Sequence, residues 1–115
     1  MSVKLCITFL LFTLLHVGVW FSTNTQLISE EWRHRSFWIM LSLAIPISLL
    51  AYYGTKFGYS ALGDSAWSVR FIGFGTSYLV FPLLTWRLLG ESMFTLKTML
   101  CIFLSMIIVF IQVKM

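Results

Sequence analysis

Charge is scarce in this chain: of 115 residues, eight are Lys or Arg and four are Asp or Glu, together 10%. An ordinary soluble domain carries about 25% charged residues, so the polar surface needed to face water on every side is missing. Acids and histidines are also few, four and two, and no Ser/His/Asp, Cys/His or metal-ligand spacing is present. No enzyme activity, metal or cofactor is therefore expected. The two cysteines, Cys6 and Cys101, sit inside apolar runs far from any CxxC spacing, and buried thiols without a disulfide are expected. The net charge of +4 would point to nucleic acid if the basic residues clustered. They stand instead at the ends of apolar runs, where Lys and Arg anchor to headgroups, so no nucleic-acid binding is expected.

What the sequence does have is long charge-free runs: Leu5–Ser29, Ser36–Thr55, Phe71–Trp86 and Thr98–Val113 contain no Asp, Glu, Lys or Arg. A helix needs roughly 20 mostly apolar residues to cross a bilayer core. Two runs meet that length outright, and the other two reach it if Arg70 and Lys97 extend their stems toward the headgroups. Lone strands would leave backbone groups unpaired in lipid, and the runs lack the alternation of a barrel strand. The expected fold class is all-α: one integral membrane domain over residues 1–115, a four-helix bundle with short loops. The helices are expected at about 4–21, 36–55, 66–88 and 95–113. The bilayer is the expected partner and the cell inner membrane the expected location of this multi-pass chain.

Lys4 before an apolar run resembles the start of a signal peptide, but "FSTNTQ" offers no small-x-small cleavage site, so a retained first helix is expected. Glu30, Glu31, Arg33 and Arg35 fall in a polar connection expected to lie in water or headgroups. Pro46 is expected to kink helix 2. Gly58, Gly63 and Asp64 supply turn chemistry after it, and Glu91 is placed to favour the dipole at the start of helix 4. Trp20, Trp38, Trp67, Trp86, Tyr52 and Tyr53 all fall at helix ends, as an aromatic belt does. Lys4, Lys56, Arg70 and Lys114 lie toward one face and Arg33, Arg35, Arg87 and Lys97 toward the other. This tie leaves both a single orientation and dual insertion open.

His16 is the ionisable residue well inside helix 1, and histidine changes charge near neutral pH. It stands either as a proton-handling group or as a neutral ring bonded to a neighbouring backbone. Thr13, His16 and Trp20 recur at helical spacing and would form a polar face. Arg70 sits about one turn inside helix 3, with Trp67, Gly73 and Ser77 along the same face. Its fork of donors suits a phosphate or carboxylate; the plainer alternative is snorkelling to the interface. Substrate contacts are expected at His16, Trp20, Trp67, Arg70, Ser77 and Tyr78, on a path lined by helices 1 to 3. Close helix packing is expected at Gly54, Gly58, Gly73 and Gly75, because small residues let backbones approach in lipid. Gly73-Phe-Gly75 lacks the third glycine and the preceding strand of a dinucleotide loop.

The segment "GTSYLVFPLLTWRLLGESMFTLKTMLCIFLSMIIVFI" resembles the last two helices of the drug/metabolite transporter superfamily, whose four-helix members include the small multidrug resistance exporters and the aminoarabinose-phosphoundecaprenol flippase. The matching features are Gly75 in helix 3, Trp86 at its end, the Gly90-Glu91 turn and a Leu/Ile-rich helix 4, over roughly the last 45 residues. The resemblance implies a small transporter acting as a homodimer or paralogous heterodimer. The small multidrug exporters carry an embedded glutamate in helix 1, and this sequence has no acid there. With Arg70 near the position of their aromatic drug site, the likeness points toward the flippase branch and an amphipathic, anionic or lipid-linked substrate. A non-transporting component, either an accessory or assembly subunit or a holin-like pore former, is the alternative.

Overall fold

The computed structural model describes residues 3–114. These form four α-helices, α1 (Val3–Asn24), α2 (Glu30–Ala61), α3 (Ala66–Leu89) and α4 (Leu96–Lys114), with a 3-10 turn at Thr25–Leu27 after α1 and no strand among the described residues. All four helices are long and apolar enough to cross a membrane. The starts of α2, α3 and α4 each have a hydroxyl cap. Ser29 accepts from Trp32 N at 3.4 Å, Ser65 from Ser68 N at 3.2 Å and Thr95 from Thr98 N at 3.2 Å, which satisfies backbone donors that have no intrahelical partner. The stop of α3 is Gly90 at φ 76, a left-handed conformation that glycine adopts without a Cβ penalty. Glu91 is not a cap. It stands in the connection before Leu96, and Thr95 takes that role through both its hydroxyl and its carbonyl, which accepts from Met99 N at 2.9 Å.

The largest difference from the sequence expectation is α2, which spans 32 residues rather than 36–55. At its start, Glu30, Glu31, Arg33 and Arg35 are helical and not a loop. The two acids lie in the first turn, where the helix dipole favours them, and Glu31 pairs with Arg35 one turn on at 3.6 Å. At its end, α2 continues through Gly54 and Gly58 to Ala61, so Gly58 belongs to the helix. The turn is made by Gly63 (φ 69) and Asp64 (φ 58). Lys4 Nζ donates to Ser60 Oγ at 2.9 Å, tying the start of α1 to the end of α2.

The core is small and lies where α1, α2 and α3 meet. Phe12, Val69 and Ile72 are buried together. Alpha carbons approach closely around them: a Cβ on Gly58 would stand 3.0 Å from Thr8 Cγ2, and one on Gly54 2.9 Å from the Phe12 ring. The glycine pair expected to mediate packing thus sits at the α1–α2 seam. Buried hydroxyls are satisfied within their own helices. Thr8, Thr76 and Ser105 donate to the carbonyls of Lys4, Ile72 and Cys101 at 2.8, 2.7 and 2.9 Å, a local bond that costs no neighbouring donor. Among the described residues no buried side-chain nitrogen or oxygen lacks a partner. Cys6 and Cys101 depart from expectation, since both are exposed, and neither is in a disulfide. The helix α4 packs on α3 and forms no comparable seam with α1 or α2.

Candidate functional site

Three cavities along α3 are lined in part by polar side chains. The one between α1, α2 and α3 has a volume of about 470 Å³ and is lined by His16 from α1, Thr55 and Tyr59 from α2, and Arg70, Phe74 and Ser77 from α3. A larger groove, about 720 Å³, runs between α1 and α2. Its polar lining is limited to Ser42 and Arg35, so it offers volume without convergent chemistry and is the weaker candidate.

His16 Nε2 lies 2.8 Å from the Gly73 carbonyl oxygen. A carbonyl only accepts, so Nε2 carries the proton, and the second lone pair of that oxygen takes it alongside the helix bond. The histidine thus pins α1 to α3 on the cavity wall. Arg70 lies with its guanidinium 4.6 Å from the centroid of the Phe74 ring, a cation–π contact worth about 0.5–1 kcal/mol where water reaches it. No carboxylate pairs with it among the described residues, so the cavity carries a cation whose donors are available to an anion.

The structure brings His16, Arg70 and Ser77 together on that cavity and leaves Trp20, Trp67 and Tyr78 off its wall. Ser77 and His16 also line a neighbouring void of about 140 Å³ with Trp20, Thr23 and Asn24. Trp20 is 1% exposed and donates from Nε1 to Thr85 Oγ1 at 3.0 Å. It bolts α1 to α3 and belongs to no outward belt. Trp67, at 74% exposure, stacks on Phe71 at 6.0 Å outside the cavity. Tyr78, 56% exposed, lies on the α3–α4 groove instead. Thr13 leaves the expected polar face, because it is exposed and its hydroxyl donates to Phe9 O at 2.7 Å.

Gly75 and Gly73 divide the packing role expected of both. A Cβ on Gly75 would meet Val109 Cγ2 at 2.5 Å and Ser105 O at 3.3 Å, whereas one on Gly73 would meet nothing within 4 Å. Gly73→Ala is therefore expected to keep the fold and to gain up to about 1 kcal/mol through the unfolded chain, read as a later midpoint in a denaturing-detergent titration.

Thr55 and Tyr59 were not legible as site residues from composition. Their spacing of four, one position beyond the Gly54–Gly58 pair, is the signal that places them beside the seam. Among the described residues no group of three His, Cys, Asp or Glu could hold a metal ion. Compared with protein-family models, curated proteins and solved structures, the chain matches none of them.

Proposed function

We propose that the chain is a multi-pass membrane protein that moves an amphipathic anionic molecule, of the size of a small lipid headgroup, past the cavity between α1, α2 and α3. The observation that carries this reading is Arg70, a cation without a carboxylate partner among the described residues, on the wall of a cavity otherwise lined mostly by apolar groups. Four apolar helices supply the span, and a guanidinium fork suits phosphate and carboxylate. A cation would be repelled, which separates this reading from export of cationic drugs. The likeness of residues 75–111 to drug/metabolite transporters fits a flippase-like role. Four helices enclose little volume alone, so the working unit is proposed as a dimer, either of two copies or with a paralogue, with the path near the midplane. The inner membrane of the cell is the proposed location.

The test is lipid flux in vesicles containing the purified chain, with a fluorescent anionic phospholipid and a membrane-impermeant quencher. Wild-type vesicles are expected to lose protected fluorescence in a saturable way. A charge-assisted hydrogen bond contributes about 1.5–3 kcal/mol, so Arg70→Ala is expected to slow flux at least tenfold and Arg70→Lys to fall between. Unchanged flux in both Arg70→Ala and His16→Ala removes the site. Unsaturable leakage of a small soluble dye favours a holin-like pore, and no flux of any kind favours an accessory or assembly subunit.

A further inference from the structure

Nearer its C-terminal end, another face of α3 carries a further cavity with different chemistry. The groove between α3 and α4 encloses about 310 Å³. At its end near the α3–α4 connection stand Glu91 and Lys97, with Ser92 beside them; away from it the wall becomes Phe81, Pro82 and Ile102. The two charges are opposite in sign, yet Glu91 and Lys97 are not paired with one another. The ion pair found among the described residues is Glu31–Arg35, and neither Glu91 nor Lys97 has a side-chain bond there.

We propose that this groove seats a phospholipid whose headgroup carries both a phosphate and a primary ammonium, as in phosphatidylethanolamine. The charge pattern selects the occupant. Lys97 complements the phosphate, Glu91 complements the ammonium and accepts its N–H donors, and the apolar far end receives the first carbons of an acyl chain. A phosphatidylglycerol headgroup would meet Lys97 through the same phosphate but offers the Glu91 carboxylate neutral hydroxyls in place of a cation. A choline headgroup has no N–H for that carboxylate, and quaternary ammonium is held by an aromatic cage. At the connection the aromatic pair Trp86 and Phe94 is engaged edge-on with itself at 5.2 Å, and the groove's own aromatics, Tyr78 and Phe81, stand about two to three turns along α3 from the charged end. The inference rests on the bilayer-spanning part of the proposed function and not on transport.

The experiment is native mass spectrometry of the purified chain released from micelles that hold equimolar phosphatidylethanolamine, phosphatidylcholine and phosphatidylglycerol of matched acyl chains. Wild type is expected to retain the ethanolamine lipid over each of the others by roughly fivefold, the scale of partly screened charge pairs. Glu91→Gln is expected to bring the ethanolamine-to-choline ratio near one and to raise glycerol-lipid retention. Lys97→Gln is expected to lower retention of all three lipids together, since each carries the phosphate that Lys97 complements. Both residues are exposed, so neither change threatens the fold. Equal retention of the three lipids by wild type, or a preference that Glu91→Gln leaves unchanged, overturns the proposal. So does loss of the preference in Arg70→Ala, which would move the lipid to the other cavity. Flux that fails to respond to Arg70→Ala while the lipid ratio holds overturns the transport reading alone, and a chain that stays monodisperse without detergent ends both.

Discussion

Replacing Gly75 with alanine is expected to destabilise the chain by about 2 kcal/mol, a typical cost of overpacking. The added methyl would stand 2.5 Å from Val109 Cγ2 and 3.3 Å from the Ser105 carbonyl oxygen. Neither neighbour yields easily. Valine in a helix holds one side-chain rotamer, and the carbonyl is part of the α4 backbone, so the two helices must separate along their whole contact. The measurement is the midpoint of unfolding in a titration with denaturing detergent, followed by circular dichroism. Val109→Ala in the same chain is expected to restore at least half of the loss by removing the clashing methyl. A Gly75→Ala variant as stable as wild type would mean that α3 and α4 do not meet here. Beside it, Gly73→Ala is a matched control, since the same methyl meets open space.

Truncating Trp20 to alanine is expected to cost more, about 3 kcal/mol, near the lower end for buried tryptophans. The lower end applies in the proposed bilayer setting, where lipid in place of water outside the bundle leaves helix association to packing and hydrogen bonds. The ring is 1% exposed, and its removal leaves a void between α1 and α3 and takes the donor from the buried Thr85 hydroxyl. Trp20→Phe separates the two effects: most of the ring volume stays, and loss of the 3.0 Å bond is expected to cost about 1 kcal/mol. Trp67→Ala is the contrast. With 74% of that residue exposed, the change is expected to stay within about 0.5 kcal/mol. Equal losses at Trp20 and Trp67 would contradict the placement of α1 against α3.

These two tryptophans also show where the sequence is informative and where it stops. Both lie near the end of an apolar run, and the runs are apolar nearly all round. No polar stripe marks the face that turns inward, so a buried strut and an outward ring read alike. The polar exceptions inside such helices are a better guide. His16 and Arg70 were legible because an ionisable group is costly in an apolar run unless it meets a cavity or a partner, and Ser77 because it shares the Arg70 face of α3; the structure gathers the three on one cavity.

Helix ends followed a similar logic. The limits of α3 are within a residue of expectation because Ser65 and Gly90 mark them chemically. Those of α2 were missed by one to two turns at each end, since a search for charge-free length finds the hydrocarbon span and not the helix. Glu30 to Arg35 are helical although charged, with both acids in the first turn and Glu31 paired to Arg35. The two glycines of α3 carry a plainer lesson. Positions two apart on an α-helix differ by about 200° in direction, so Gly73 and Gly75 cannot serve the same neighbour.

The single seam between α4 and the rest has a consequence for biogenesis. Every tie that shapes the arginine cavity is made by residues up to Thr85: His16 to Gly73, Trp20 to Thr85, and the glycines of α2 against Thr8 and Phe12. Because α4 makes none of these ties, that unit can form in a nascent chain before α4 has emerged, and α4 then docks onto a finished template.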